Sequence, residues 1–126
     1  MNWNKFPNFS AKEFACKHTG RVEMNEQFME RLQRLRTEFG KPMVITSGFR
    51  HRTHPIEARK NTIGPHAQGR AADIAVQGED ALRLIGLAIK HGFTGIGVQQ
   101  KGTGRFIHLD DLPFTTGVPR PTVWSY

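Results

Sequence analysis

At 126 residues the chain is long enough for one domain with a real core and too short for two. Its only cysteine, Cys16, excludes an internal disulfide framework, so stability must come from core packing, with or without a metal. The formal charge of +7 implies attraction to polyanions, but charge alone does not choose among nucleic acid, an anionic cell wall and membrane headgroups.

The first ten residues, MNWNKFPNFS, lack the basic and apolar regions of a signal peptide, and no run approaches membrane-spanning length. A product made in the cytoplasm without a signal peptide is expected. In FSAKEF, Ser10 as N-cap and Glu13 at N3 form a capping box, and Phe9 and Phe14 are spaced as a hydrophobic staple, so a short helix begins there. A second helix is predicted from about Glu26 to Phe39, where Phe28, Leu32, Leu35 and Phe39 recur at helical spacing before Gly40 and Pro42. MVITSGF, residues 43–49, reads as a buried strand. The polar stretch from Arg50 to Gly69 is a long surface loop with one helical turn around Ile56 to Arg59, and loops of this length usually have a task. RAADIAV then resumes strand character, and EDALRLIGLAIKHG is a helix with Leu82, Ile85 and Ile89 inward and Gly92 as its stop. GIGVQ and RFIHLDD are two further strands around the tight segment QKGTGR. The tail LPFTTGVPRPTVWSY is proline-broken and ends in aromatics.

This order predicts one α+β domain over residues 1–126, with helices on one face of a mostly antiparallel sheet. Its core should draw on Phe14, Phe28, Leu32, Leu35, Val44, Ile45, Ile74, Leu82, Ile85, Ile89, Ile96, Val98 and Ile107. In such a sheet RAADIAV and RFIHLDD can lie close together, bringing Asp73 beside His108, while His66 folds back over the same place. Two imidazoles and a carboxylate from separate segments form the three-ligand set of a catalytic zinc site. Zinc there can acidify water and polarise a carbonyl. On spacing alone, a His and an Asp seven apart are weak evidence, and a loop histidine with a strand-end aspartate that caps another group is the more common case.

Taken in order, SGFR, a polar loop, HAQGRAAD, GIGV, FIHLD and RPTVWSY resemble the M15 family of zinc peptidases. These D-alanyl-D-alanine carboxypeptidases, dipeptidases and L-alanyl-D-glutamate endopeptidases cut peptidoglycan peptides on a fold shared with the Hedgehog signalling domain. The resemblance spans roughly residues 9–126 and is nearest to small M15A-like proteins of tailed bacteriophages and prophages. It implies a Hedgehog/DD-peptidase-like fold, His66, Asp73 and His108 as zinc ligands, and Arg50 as the arginine that binds substrate and steadies the developing oxyanion. A guanidinium suits that role, being always charged with several donors in a fixed fork.

Two positions depart from the family pattern. The general base commonly stands three residues before the last histidine ligand, where this chain has Arg105; others carry a histidine two before it, where this chain has Phe106. Asp110 and Asp111 are the remaining acidic candidates. Asp110 shares a strand face with His108 and is a candidate either as general base or as the acceptor that orients an imidazole. Gly64 also replaces the serine often found two residues before the first ligand. His51 and His54 follow Arg50 closely and fit either a cleft lining or a basic solvated loop. His91, in the last turn of its helix, suits the macrodipole. Cys16 is expected as a buried thiol and His18 as an exposed imidazole. Trp124 and Tyr126 fit sugar stacking or, more commonly, anchoring of the tail.

The basic residues show no recognition-helix pattern and no interleaved aromatics, which argues against specific nucleic-acid binding. The reading is therefore a monomeric zinc peptidase of peptidoglycan with an endolysin-like role in bacteriophage wall degradation, reaching the wall through a holin or as part of the particle. The competing reading is a metal-bound structural or wall-binding module that has lost the chemistry.

Overall fold

In the computed structural model, which describes residues 1–126, the chain enters through two 3-10 turns, Trp3–Lys5 and Ala11–Phe14. The Glu13 carboxylate accepts from the Ser10 backbone N–H at 2.9 Å and from its hydroxyl at 3.2 Å. Phe9 packs edge-on against Phe14, so the staple forms, on a 3-10 turn.

Helix α1 (Glu26–Phe39) starts where the Asn25 side chain accepts from the Phe28 N–H, and ends at Gly40 in the left-handed region. Its buried stripe of Phe28, Met29, Leu32, Leu35 and Phe39 faces the sheet side of the core. Phe28 is fully buried, and truncating such a ring to alanine costs about 3–5 kcal/mol.

Strand β1 (Val44–Ser47) leads through the long loop, whose one helical turn is α2 (Pro55–Ala58), to β2 (Ala71–Ala75). Helix α3 (Gly78–Lys90) crosses back to β3 (Gly95–Gln99), which turns into β4 (Phe106–Asp110), and the tail closes with β5 (Thr122–Ser125). The sheet order is β1-β2-β4-β3-β5, antiparallel throughout except for the parallel β3–β5 pair. This is the expected α+β architecture with helices packed on a mostly antiparallel sheet. No helix is long and apolar enough to cross a membrane.

Three expectations about the core are corrected. Val44 is exposed at the start of the edge strand β1. Leu82 and Ile89 are 73% and 65% exposed, while Ala81, Leu84 and Ala88 form the buried face of α3. Both stripes have helical spacing. The one with two alanines wins because small side chains let the helix approach closely, and periodicity alone cannot separate adjacent stripes. Strand β5 was not anticipated. Pro119 and Pro121 disguise it, yet proline is compatible with the approach to an edge strand, where no central ladder bond is lost.

Candidate metal centre and substrate cleft

The β2–β4 register sets Asp73 directly opposite His108. Residues paired across an antiparallel ladder share a face, so both side chains project to the same side of the sheet. A bulge in β1 between Ile45 and Ser47 leaves the Thr46 hydroxyl donating to the Asp73 carbonyl at 3.3 Å. His66 arrives from the loop. Its carbonyl accepts from the backbone N–H groups of Arg50 and Gly69, both at 3.2 Å. Gly69 sits at φ +70°, and a Cβ there would run into the Glu23 carbonyl, so the tight return into β2 requires glycine.

His66, Asp73 and His108 are 4%, 6% and 3% exposed, and one potential ligand atom from each lies within 4.8 Å of the others. Asp73 Oδ1 is 3.3 Å from His66 Nε2 and 3.0 Å from His108 Nδ1. The other ring nitrogens are held from behind. His66 Nδ1 donates to the Gly48 carbonyl at 2.7 Å, and His108 Nε2 donates to Asp110 Oδ2 at 2.8 Å. These acceptors leave the nitrogen on the Asp73 side as the one that ligates in each neutral imidazole, the second-layer arrangement that fixes the tautomer of metal-ligating histidines; a protonated His108 donates from that nitrogen to Asp73 instead. Two imidazole nitrogens and a carboxylate converge on one buried space. This donor set fits a divalent metal.

Burial lowers the His66 pKa and outweighs the pull of Asp73, so this imidazole is neutral at pH 7. Burial also works against a charged His108, but hydrogen bonds to Asp110 and Asp73 more than offset it and raise its pKa. Burial pushes the Asp73 pKa up, but its close contacts with His108 and His66 hold it far below the usual carboxylate range.

Asp110 is fully buried. Its two oxygens accept from Arg120 Nε and Nη2, both at 2.9 Å, in addition to His108. Burial opposes its ionisation, but His108 and Arg120 bring its pKa below the ordinary value. It meets the ring nitrogen of His108 that faces away from Asp73. Asp111 points elsewhere and holds Arg70 through two bonds of 2.8 and 3.1 Å.

Arg50 Nη2 lies 3.6 Å from Asp73 Oδ2, while Nη1 reaches Glu57 at 3.5 Å and Nε donates to the Ser47 hydroxyl at 3.2 Å. Glu57, buried behind Arg50, also takes Lys60 at 2.9 Å. Arg50, Lys60, His66, Asp73 and His108 form one side of a cleft of about 370 Å³, and Phe106, Trp124 and Tyr126 form the aromatic wall. Asp73 is its only lining carboxylate. Arg105 turns to the Gly102 carbonyl at 2.9 Å.

His51 lines a separate polar hollow with Arg21 and Arg52. His54 caps α2, accepting from the Ile56 N–H. His91 pairs with Glu38 at 2.8 Å. Cys16 is buried, with the His51 N–H on its sulfur, and His18 is exposed.

The roles of Arg120 and Gly95 escaped the sequence reading, and Trp124, expected only to stack on a sugar or anchor the tail, lies against His108 and Arg120 in the cleft. The signal was the alternation in GIGV. A Cβ at Gly95 would overlap the Asp110 carboxylate, and one at Gly97 would crowd Trp124 Nε1 and Tyr126 Oη. Two glycines spaced by two keep one face of β3 bare for the groups laid across it.

A mostly antiparallel sheet carrying a buried His-Asp-His set beside a guanidinium, at the foot of an open cleft, defines a candidate metallohydrolase. The family model for Peptidase M15 matches residues 7–110, and the chain belongs to that family. Comparison with curated proteins finds no match. The matched span ends at Asp110, so β5 and its aromatics lie beyond it.

Proposed function

We propose that the protein is a zinc peptidase that hydrolyses amide bonds in peptidoglycan stem peptides or cross-links. The observation that carries this is the convergence of His66 Nε2, Asp73 Oδ1 and His108 Nδ1 next to Arg50 in an open cleft, each imidazole fixed by an acceptor behind it. Two imidazoles and a carboxylate suit zinc. Bound there, zinc supplies a Lewis acid that polarises a carbonyl and acidifies water.

The chain's own residues supply the rest. Gly48 and Asp110 hold the imidazoles in their ligating tautomers. Glu57 and Ser47 aim Arg50, whose donors meet a substrate oxygen as it gains charge. Asp110, locked by Arg120, acts as the orienting acceptor of His108 and not as the base. Lys60 and Arg50 give the cleft a cationic side suited to a peptide carboxylate, and the net charge of +7 favours an anionic wall. The resemblance to small M15A-like phage proteins supports a role in bacteriophage wall degradation. Synthesis in a bacterial cytoplasm, action at the wall with a holin or from the particle, and a monomeric state belong to the same proposal.

One observation favours a second reading, a metal-bound wall-binding module without activity: the cleft offers no carboxylate besides Asp73 to accept the water's proton. Digestion of purified peptidoglycan with zinc-loaded protein, with products read by mass spectrometry, separates the two. Defined peptide fragments from wild type and none from His66→Ala support the peptidase. Stoichiometric zinc without cleavage moves the protein to the binding module.

A further inference from the structure

Tyr126 sits in the aromatic wall of the cleft that contains the candidate ligands and Arg50. Three features of the fold hold it there. Parallel pairing of β5 with β3 sets Trp124 beside Gly97, and Gly97 is in turn the cross-strand partner of His108. The bare Gly97 leaves a space that Trp124 Nε1 and Tyr126 Oη share, since a Cβ there would lie 2.7 and 2.8 Å from them. The ring of Tyr126 is braced by Phe106 at a centroid distance of 5.1 Å, and that of Trp124 by His108 at 5.0 Å and by Arg120 at 5.2 Å.

The hydrogen-bond chemistry of this pair is directional. An indole N–H only donates, whereas a phenol both donates and accepts. Trp124 Nε1 and Tyr126 Oη both lie against Gly97, and an indole N–H beside a phenol oxygen can only meet its lone pairs, so the O–H proton is left for a guest in the cleft. A phenol is neutral at pH 7. It is thus a donor, and it needs an acceptor that gains negative charge during reaction. In amide hydrolysis the carbonyl oxygen is that acceptor, while the amide N–H is itself a donor.

We propose that Tyr126 is a catalytic residue whose hydroxyl, set beside Trp124 over the bare Gly97, donates a hydrogen bond to the carbonyl oxygen of the scissile amide alongside Arg50. No proton is transferred; the bond strengthens as charge develops on the oxygen, so its effect falls on turnover more than on ground-state binding. This rests on the peptidase reading above and adds to it a residue beyond the span matched by the family.

The test compares wild type with Tyr126→Phe and Trp124→Phe. It measures amine release from soluble peptidoglycan peptides, zinc content, thermal midpoint, and calorimetric affinity for an alanyl-alanine phosphinate, whose tetrahedral anionic oxygens mimic the addition product. Tyr126→Phe removes one oxygen and keeps the ring on Phe106. We expect kcat to fall about 10- to 100-fold, with KM within about threefold and zinc content and midpoint unchanged. Phosphinate affinity should fall at least about tenfold, and Trp124→Phe should show a smaller loss of the same kind. Turnover within about twofold of wild type, or equal phosphinate affinity in wild type and Tyr126→Phe, overturns the inference and leaves the peptidase standing. Loss of zinc or of thermal stability along with activity also overturns it, because the tyrosine is then structural. An inactive, zinc-loaded wild type overturns the peptidase reading itself, and this inference with it.

Discussion

Replacing Asp110 with asparagine separates an orienting role from a direct one. The substitution keeps the shape but removes the charge that meets both Arg120 and His108. An amide cannot accept along both edges, so one Arg120 donor faces an N–H in either orientation, and His108 does too when the amide nitrogen takes the Oδ2 place. The Arg120 side chain is only 9% exposed and the Asp110 side chain fully buried, so the pair is a desolvated one. Breaking such a pair costs about 3–5 kcal/mol. Arg120 keeps its bond to the Pro119 carbonyl and its place over Trp124, which argues for a lower value, about 2–3 kcal/mol. With an unfolding entropy of about 2.1 cal/mol/K per residue, the midpoint of the metal-free protein should drop by roughly 8–11 °C. Asp110 has a depressed pKa in the fold, so its contribution is complete above the ordinary carboxylate range and is lost as pH falls through the folded value. The gap between Asp110→Asn and wild type should therefore narrow in acid. Zinc affinity should fall by about 10- to 100-fold, as for loss of the acceptor behind a ligating histidine. Calorimetric unfolding at several pH values and competitive zinc titration measure both. If activity vanishes while midpoint and zinc affinity hold, Asp110 handles a proton directly and this reasoning is wrong.

Arg50→Lys should retain zinc and lose about 100-fold in turnover, since an ammonium cannot reproduce the fork that meets Ser47, Glu57 and a substrate oxygen together; zinc content with steady-state rates checks this. Gly95→Ala places a methyl within the Asp110 carboxylate and should destabilise by about 1–3 kcal/mol, the usual range for overpacking, read by urea unfolding. Zinc binding should release a proton wherever the pH lies below the raised pKa of His108. His108 has a raised pKa in the metal-free protein, so the ion must displace its proton, and affinity should climb with pH until His108 is neutral. Titrations in buffers of different ionisation enthalpy count that proton; a count of zero would contradict the assignment.

Much of the centre can be read in the sequence because its parts obey local rules. Asp73 and His108 each interrupt an apolar strand, and once the two strands pair, period-two alternation puts both side chains on one face. The capping box of Ser10 and Glu13 and the stop at Gly40 depend only on neighbours in the chain. What depends on distant packing is harder to see. The inward face of α3 was set by how closely Ala81 and Ala88 let the helix approach, which no hydropathy stripe records. Strand β5 owes its place to parallel pairing with β3, and Pro119 and Pro121 obscure it locally. The partner of Asp110 could not be read either, since Arg120 reaches it only after the tail folds back along the sheet.

The most direct test of the account is a zinc titration of chelator-treated protein with peptide release from purified peptidoglycan as the readout, run beside His66→Ala, Asp73→Asn and His108→Ala. The account predicts no release without metal, release that rises linearly and saturates at one equivalent of zinc, and no recovery in any of the three variants. Cleavage that survives chelation, or that zinc restores fully in a ligand variant, would contradict it.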